Sequence, residues 1–418
     1  VAQPTLLTDD VLRHLMAVGQ VDIVVGVPTL NHAGTIAATL RAGDEALARG
    51  FPRERTVIIV ADGGSRDGTP EIAQELSTRA ARHGGLRTRH QIVASYRSGS
   101  ARTEALRILF AAADLLQARG VAILDPEVTS LTEAWVAALV EPIVRRQFDF
   151  VAPLYDRHPL DAPLLTQLVR PLVGATCRRP VEEPLIGEFG CSGRFAASCL
   201  EQELWDPGRN REGVEIWLTV AALTGDFQPC QAYLGPRTIA PAPRPGLREL
   251  FPLVVGALFD CLDRFATRWQ PLEGREPLPI FGAEQRPATE APPPTPAALG
   301  ASFARDVRDL EPVLASILAP ATLARLREIV DSGAETLHYA DDLWVATVYD
   351  FLAAYHRGVM DRAHITQALM PLYLGRAASF LNQYAVEGAA GALKGLEQMS
   401  REFELARPFL IEHWTRKP

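Results

Sequence analysis

Lysine is nearly missing from this chain: of 42 basic residues only Lys394 and Lys417 are lysines. Any anion site must therefore be built from arginine guanidinium forks or backbone N–H groups. Positive charge is also short overall. The formal net charge is -8, which argues against broad nucleic-acid binding and leaves no nucleic-acid partner to expect. Long apolar runs are absent too. The longest, Phe251 to Phe259, stops at Asp260, short of the ~20 residues that a membrane-spanning helix needs. Cysteine is scarce and unpatterned. Cys177, Cys191, Cys199, Cys230 and Cys261 form no C-x-x-C pair, and no histidine stands beside them at a zinc-ligand spacing. A disulfide framework and a structural zinc site are both disfavoured, and buried, reduced thiols are expected. Val1–Asp10 puts no basic residue ahead of an apolar stretch. No secretory signal is expected there, and the reading is a cytoplasmic protein.

What remains is 418 residues, 47% of them hydrophobic, enough for two or three domains at ~150 residues each. The first 155 residues alternate short β-rich runs with helical stretches. The runs Asp22–Val27, Thr56–Ala61, Gln91–Ala94, Val121–Leu124 and Asp149–Pro153 read as buried strands. Thr35–Gly50, Thr69–His83, Ser100–Arg119 and Thr132–Arg146 have helical length and spacing. Thr69-Pro70-Glu71 is a start signal, with a hydroxyl cap, proline at the first helical position and an acid in the first turn. This alternation predicts an α/β domain with a mostly parallel sheet. Further helices are expected at Ala162–Gly174, Gly213–Gly225 and Leu247–Trp269. The expected division is a sheet domain over 1–240, a helix and proline-rich linker over 241–297, and a helical subdomain over 298–418. That last part is apolar enough to suggest packing against a neighbour or a homodimer.

Parallel α/β sheets bind ligands outside the carboxyl ends of their strands, and three strand ends here are polar. Pro28-Thr29-Leu30-Asn31-His32 can hold a flat base edge by hydrogen bonds. Asp62-Gly63-Gly64-Ser65-Arg66-Asp67-Gly68-Thr69 combines a fixed carboxylate with glycines that permit backbone approach. Leu124-Asp125-Pro126-Glu127 places two acids, one residue apart, where a hard cation could bridge diphosphate oxygens. A lone histidine in a loop, such as His32 or His158, reads as solvent-facing.

Asp22–Leu30 followed by Val60–Thr69 resembles the opening of family-two-type glycosyltransferases with the GT-A fold, whose nucleotide site carries a D-D/S-G-S-x-D-G-T run. The third strand end stands where that family keeps its D-x-D metal motif. The middle of the chain is similar to the retaining glucosyl-3-phosphoglycerate synthases and their glucosylglycerate-forming relatives. The stretches that carry this are Thr166-Gln167-Leu168-Val169 with Arg170-Pro171-Leu172, then Glu183–Phe189, Gly213–Ile216 and Leu234–Arg237.

The resemblance implies a GT-A, Rossmann-like fold that transfers a hexose from a nucleotide-diphosphate sugar to a small hydroxy acid such as glycerate or 3-phosphoglycerate, with retention. It implies that Pro28, Thr29 and Leu30 line the base, with Asp62 near uracil and Ser65 close by. Arg102 would contact donor phosphates, Asp125 the ribose and metal side, and Glu127 an Mg²⁺ or Mn²⁺ ion. Leu185 would lie at the catalytic centre beneath the transferred sugar, with Gly187, Glu188 and Thr166 toward the acceptor. Glu215 would approach sugar or acceptor hydroxyls, and would be the general base if the reaction inverted. The chain departs from the pattern in three places. The D-x-D is D-x-E, Thr238-Ile239-Ala240 holds no histidine where a metal ligand is expected, and Pro163-Leu164 replaces a glycine and an arginine that would clamp an acceptor phosphate. Those departures leave a second reading, a nucleotide-binding scaffold or regulatory paralogue without transfer activity.

Overall fold

A computed structural model describes residues 7–82, 90–96, 101–202, 205, 213–241, 246–282, 302–332 and 337–415. The chain forms two compact units. One comprises Val1–Asp156, Leu185–Pro243 and Leu278–Arg286; the other comprises Arg157–Pro184, Arg244–Pro277 and Pro287–Pro418. Residues 157–184, placed by the sequence within a domain ending at 240, thus group with the helical unit.

The first unit holds one eight-stranded sheet. Its strands are β1 (Ile23–Thr29), β2 (Thr56–Asp62), β3 (His90–Ser95), β4 (Gly120–Ile123), β5 (Phe150–Asp156), β6 (Phe189–Ser192), β7 (Pro229–Pro236) and β8 (Ile280–Phe281), in the order β3-β2-β1-β4-β6-β5-β7-β8. β6 runs antiparallel to both β4 and β5, and the other pairings are parallel. The helix α1 (Asp9–Val18) precedes β1, and α2 (Ile36–Gly50), α3 (Thr69–Arg82), α4 (Ala101–Leu115) and α5 (Glu133–Arg146) fill the crossings from β1 to β5. Expected strands and helices of this half appear within a few residues of their predicted ends; His83 and Ser100 lie outside the described residues.

The two-residue period of β1 explains the layering. Ile23, Val25 and Val27 share a core with Ile36, Leu40 and Leu47 of α2 and with Trp135, Val136 and Leu139 of α5. The alternate residue Gly26 lies on the opposite face, where an added Cβ would sit 2.9 Å from the Leu109 side chain of α4.

The ends of three inner strands, β5, β6 and β7, are tied by a buried carboxylate. Asp149, just before β5, accepts from Ser192 Oγ at 2.7 Å, Arg194 Nη2 at 2.6 Å and Gln228 N at 3.0 Å. Burial alone would raise its pKa, but the bonds from Arg194, Gln228 and Ser192 outweigh burial and hold it below the ordinary 3.8. The stability it contributes is therefore present above that ordinary value and lost as pH falls through the depressed one. Asp149→Asn is expected to cost about 1.5–3 kcal/mol at neutral pH, the range for hydrogen bonds to charged groups. Urea titrations should show that difference shrinking in acid.

The second unit is helical, with Leu247–Arg264 and Arg362–Leu405, the latter kinked at Gly388, its longest elements. The helix expected over Ala162–Gly174 starts as a π-helical turn, Leu165–Val169, and continues as Arg170–Cys177. Proline explains the change. Pro171 has no N–H for the carbonyl of Gln167 four residues earlier, and its ring crowds that oxygen. The freed Gln167 carbonyl accepts from Trp344 Nε1 at 2.7 Å instead. No described helix is long and apolar enough to cross a membrane.

Candidate functional site

Register brings the polar strand ends onto one rim. Thr29 pairs with Asp62 and Asp62 with Ser95, while Gly26 pairs with Ile123. Leu124 N donates to Gly26 O at 2.9 Å, so Asp125 leaves the sheet beside β1. Antiparallel β6 pairs Phe189 with Ile123. Its amino end, carrying Leu185–Glu188, therefore arrives at the same rim as the carboxyl ends of its neighbours. Tyr155 pairs with Gly235, which puts Tyr155 and Arg237 there as well.

The loops after β1 and β2 are laced together. Asp62 is 1% exposed; its Oδ2 accepts from Gly64 N and Ser65 N, and its Oδ1 accepts from Ser65 Oγ. Ser65 Oγ in turn accepts from Asn31 N at 2.8 Å, and Asn31 Oδ1 accepts from Arg66 N at 2.9 Å. Asp67 Oδ2 accepts from Ala33 N. The sequence puts Asp62 and Ser65 at the base ring. In the structure their polar atoms are engaged in shaping the loop. Pro28 and Thr29 are buried, while Leu30 is 40% exposed and offers an apolar edge.

Arg102, in the first turn of α4, is the hub. Its Nε donates to Glu215, its Nη2 to Gly187 O at 2.5 Å, and its Nη1 approaches Asp125 Oδ2 at 3.5 Å. Burial would lower its pKa, yet Glu215 and Asp125 together raise it, so the guanidinium stays charged. Glu215 sits in the first turn of the helix Val214–Thr224 and is ion-paired with Arg102.

A second ion pair lies alongside. Glu188 is fully buried, accepting from Tyr155 Oη and facing Arg237 Nη2 at 3.4 Å, while the Arg237 guanidinium lies 5.4 Å from the Tyr155 ring centroid. Burial raises the Glu188 pKa, and Arg237 only partly offsets that. The sequence assigned Glu188 to the acceptor; in the structure it is fully buried and faces Arg237. Arg237, absent from the residues singled out, was legible only as part of Leu234–Arg237.

Gly187 separates the two guanidiniums. An added Cβ would stand 2.9 Å from Arg237 Nη2 and 3.4 Å from Asp125 Oδ2. Gly187→Ala is expected to push the flexible end of Arg237 aside, leave the folding transition nearly unchanged, and lower turnover about tenfold, a 1.4 kcal/mol effect. A steady-state assay beside a denaturation curve checks both parts. Leu185 is half-buried just before this glycine. Thr166 belongs to the second unit, buried on the π-turn, with its hydroxyl 3.4 Å from Ala162 O.

The third acid, Glu127, has a side chain 43% exposed, and Asp125 Oδ1 accepts from its N–H at 2.9 Å. Asp125, Glu127, Glu188 and Glu215 outnumber Arg102 and Arg237 on this rim, so a diphosphate would meet excess negative charge. Hard carboxylate oxygens and that imbalance fit a divalent cation. Among the described residues no group of three histidine, cysteine or acidic side chains could hold a metal ion. A cation held by Asp125 and Glu127 would take its other ligands from phosphate and water, as Mg²⁺ commonly does.

Residues 24–188 match the family described as "Glycosyl transferase family 2". No curated protein gives a significant match. Among solved structures, the chain is similar to glucosyl-3-phosphoglycerate synthase from Mycobacterium tuberculosis in complex with Mn²⁺, uridine-diphosphate-glucose and phosphoglyceric acid. That match has 22% identity and TM-score 0.41, over 63% of this chain and 85% of the other. The same enzyme with Mg²⁺ and uridine diphosphate gives 22% identity and TM-score 0.42 over 66% and 94%. Mannosyl-3-phosphoglycerate synthase from Rubrobacter xylanophilus gives 17% and 0.39 over 63% and 79%.

Proposed function

We propose that this chain, with its glycosyl transferase family 2 domain at residues 24–188, moves a hexose from a nucleotide-diphosphate sugar to a small hydroxy acid, glycerate or 3-phosphoglycerate, with retention. The observation that supports it best is the Arg102 hub, a charged guanidinium tied to Asp125, Glu215 and Gly187 O beside the Asp62 loop. The base lies against Pro28–Leu30 and the backbone shaped by Asp62 and Ser65. The diphosphate lies toward Arg102, and the sugar over Leu185–Gly187. A divalent cation at Asp125 and Glu127 supplies charge neutralisation when bound.

The bond from the anomeric carbon to the β-phosphate oxygen breaks, and its electron pair leaves with the diphosphate. The acceptor hydroxyl oxygen bonds to that carbon, and its proton passes to the departing phosphate. Arg102 stabilises the charge as it develops on the leaving group. Glu188 and Glu215 both carry guanidinium partners, so neither is offered as a free nucleophile. That favours attack from the leaving-group side.

Incubation with UDP- and GDP-hexoses and each acceptor, with NMR of the product anomer, tests the reading. An axial hexose donor should give an axial glycoside; an inverted product overturns retention. The lack of a third metal-ligating side chain among the described residues favours, as a second reading, a nucleotide-binding scaffold. It would bind nucleotide and turn over no acceptor. The cytoplasmic setting and the homodimer remain proposals of the same kind, the dimer to be checked by light scattering.

A further inference from the structure

The His32 ring is held far more firmly than a loop histidine would be. Its backbone N–H donates to Thr69 Oγ1 at 2.8 Å, and its carbonyl accepts from Thr35 N and Ile36 N, which opens α2. The ring is pinned from the base side. Leu30 N donates to Nδ1 at 3.0 Å, and Thr29 Oγ1 stands 3.1 Å from the same nitrogen. Because a backbone N–H can only donate, Nδ1 is the acceptor and the ring proton of the neutral imidazole sits on Nε2. That Nε2 faces Glu127 Oε1 at 3.8 Å, with the His32 side chain 19% exposed. His32 is therefore not the solvent-facing residue that the sequence suggested.

We infer that His32 is a positioning residue that couples the base-lining segment to the cation carboxylate. Its Nδ1 accepts from the backbone of Leu30, and its Nε2–H faces Glu127 across 3.8 Å. With its proton on Nε2, the ring turns an N–H rather than a lone pair toward the carboxylate, within reach of one small shift or a bridging water. Ligating carboxylates commonly depend on such outer partners, whose loss typically costs about 10–100-fold in metal affinity. Thr238-Ile239-Ala240 holds no histidine, and His32 is the imidazole that faces Glu127. Since binding free energies are reciprocal, a nucleotide that settles Pro28–Leu30 tightens the cation, and the cation tightens the nucleotide.

The inference rests on the nucleotide-sugar reading, and the test separates the two. Calorimetric titration of the full chain with UDP and GDP, with Mn²⁺ and with chelator, is run beside Mn²⁺ titration followed by electron paramagnetic resonance. In the native chain Mn²⁺ should strengthen nucleotide binding. His32→Phe keeps the ring volume without a donor, and it should weaken Mn²⁺ binding at least tenfold in the presence of nucleotide. Its nucleotide affinity in chelator reports the loss of the Leu30 contact alone, and the loss of Mn²⁺ affinity should exceed that loss. His32→Gln, which keeps a donor, should recover part of the Mn²⁺ affinity.

Native-like Mn²⁺ affinity in His32→Phe overturns the coupling and leaves the function standing, as does nucleotide binding by the native chain that ignores Mn²⁺. If His32→Phe misfolds, unimpaired Mn²⁺ binding in His32→Ala at native circular dichroism overturns it in the same way. No binding of either nucleotide by the native chain, with or without Mn²⁺, overturns both readings.

Discussion

Replacing Arg102 by methionine is expected to lower kcat/KM by about 10²–10³-fold, the cost of removing one preorganised donor to developing charge. Methionine keeps the length and apolar contacts of the stem and deletes the fork. Three partners would be stranded together: Glu215, Asp125 and the Gly187 carbonyl. Arg102→Lys should recover little of this, because an ammonium point charge cannot span three acceptors lying in different directions. The decisive measurement is the split between kcat and KM. If Arg102 acts on the leaving group, kcat carries most of the loss. A change confined to KM would reduce it to a ground-state contact. Glu215→Gln is the companion variant. Because Glu215 anchors Arg102, it should lower kcat less than Arg102→Met does; a free general base at that position would make the two comparable.

Glu188→Ala carries the largest expected effect on stability. It removes the buried carboxylate partner of a half-buried guanidinium and empties space under Tyr155. Breaking one side of a buried ion pair costs about 3–5 kcal/mol. Glu188→Gln keeps the shape and an acceptor for Tyr155 Oη, so its cost should be smaller, and its dependence on pH carries the sign. The folded-state pKa of Glu188 lies above the ordinary 4.5 because of burial. A raised carboxyl contributes most below that ordinary value, and its contribution declines as pH climbs through the folded value. The advantage of native protein over Glu188→Gln should therefore shrink from pH 4 upward and then level off. Denaturant midpoints at several pH values decide it, and an advantage growing with pH would show that Arg237 outweighs burial.

Much of the sheet was legible because β1, β2 and β4 are short apolar runs bounded by polar turns, a pattern that fixes buried parallel strands. β6 and β7 were not. Phe-Gly-Cys-Ser is four residues with no period, and Pro229–Pro236 is bracketed by prolines; each becomes a strand through its neighbours. The site divides in the same way. Asp62, Asp125 and Glu127 were marked by lying just after strands, and Arg102 by resemblance. The pairing of Arg102 with Glu215, 113 residues apart, and of Glu188 with Arg237 depends on where β6 enters the sheet. His32 looked like an ordinary loop histidine because its two partners, a backbone amide and a carboxylate 95 positions on, leave no mark in local sequence. The π-turn was concealed as well, since Pro171 read as an internal helix residue until the Trp344 indole supplied its lost bond.

The interleaving of the two units along the chain bears on how the protein is made. The last strand of the sheet, Ile280–Phe281, pairs with β7 only after the ribosome has delivered Arg244–Pro277, which belongs to the other unit. Until then β7 is an open edge on a nascent sheet, the kind of surface that invites mispairing or calls for a chaperone. A gene fragment cut at residue 240 would make that interval permanent, so its poor yield would speak of the missing strand rather than of the chemistry.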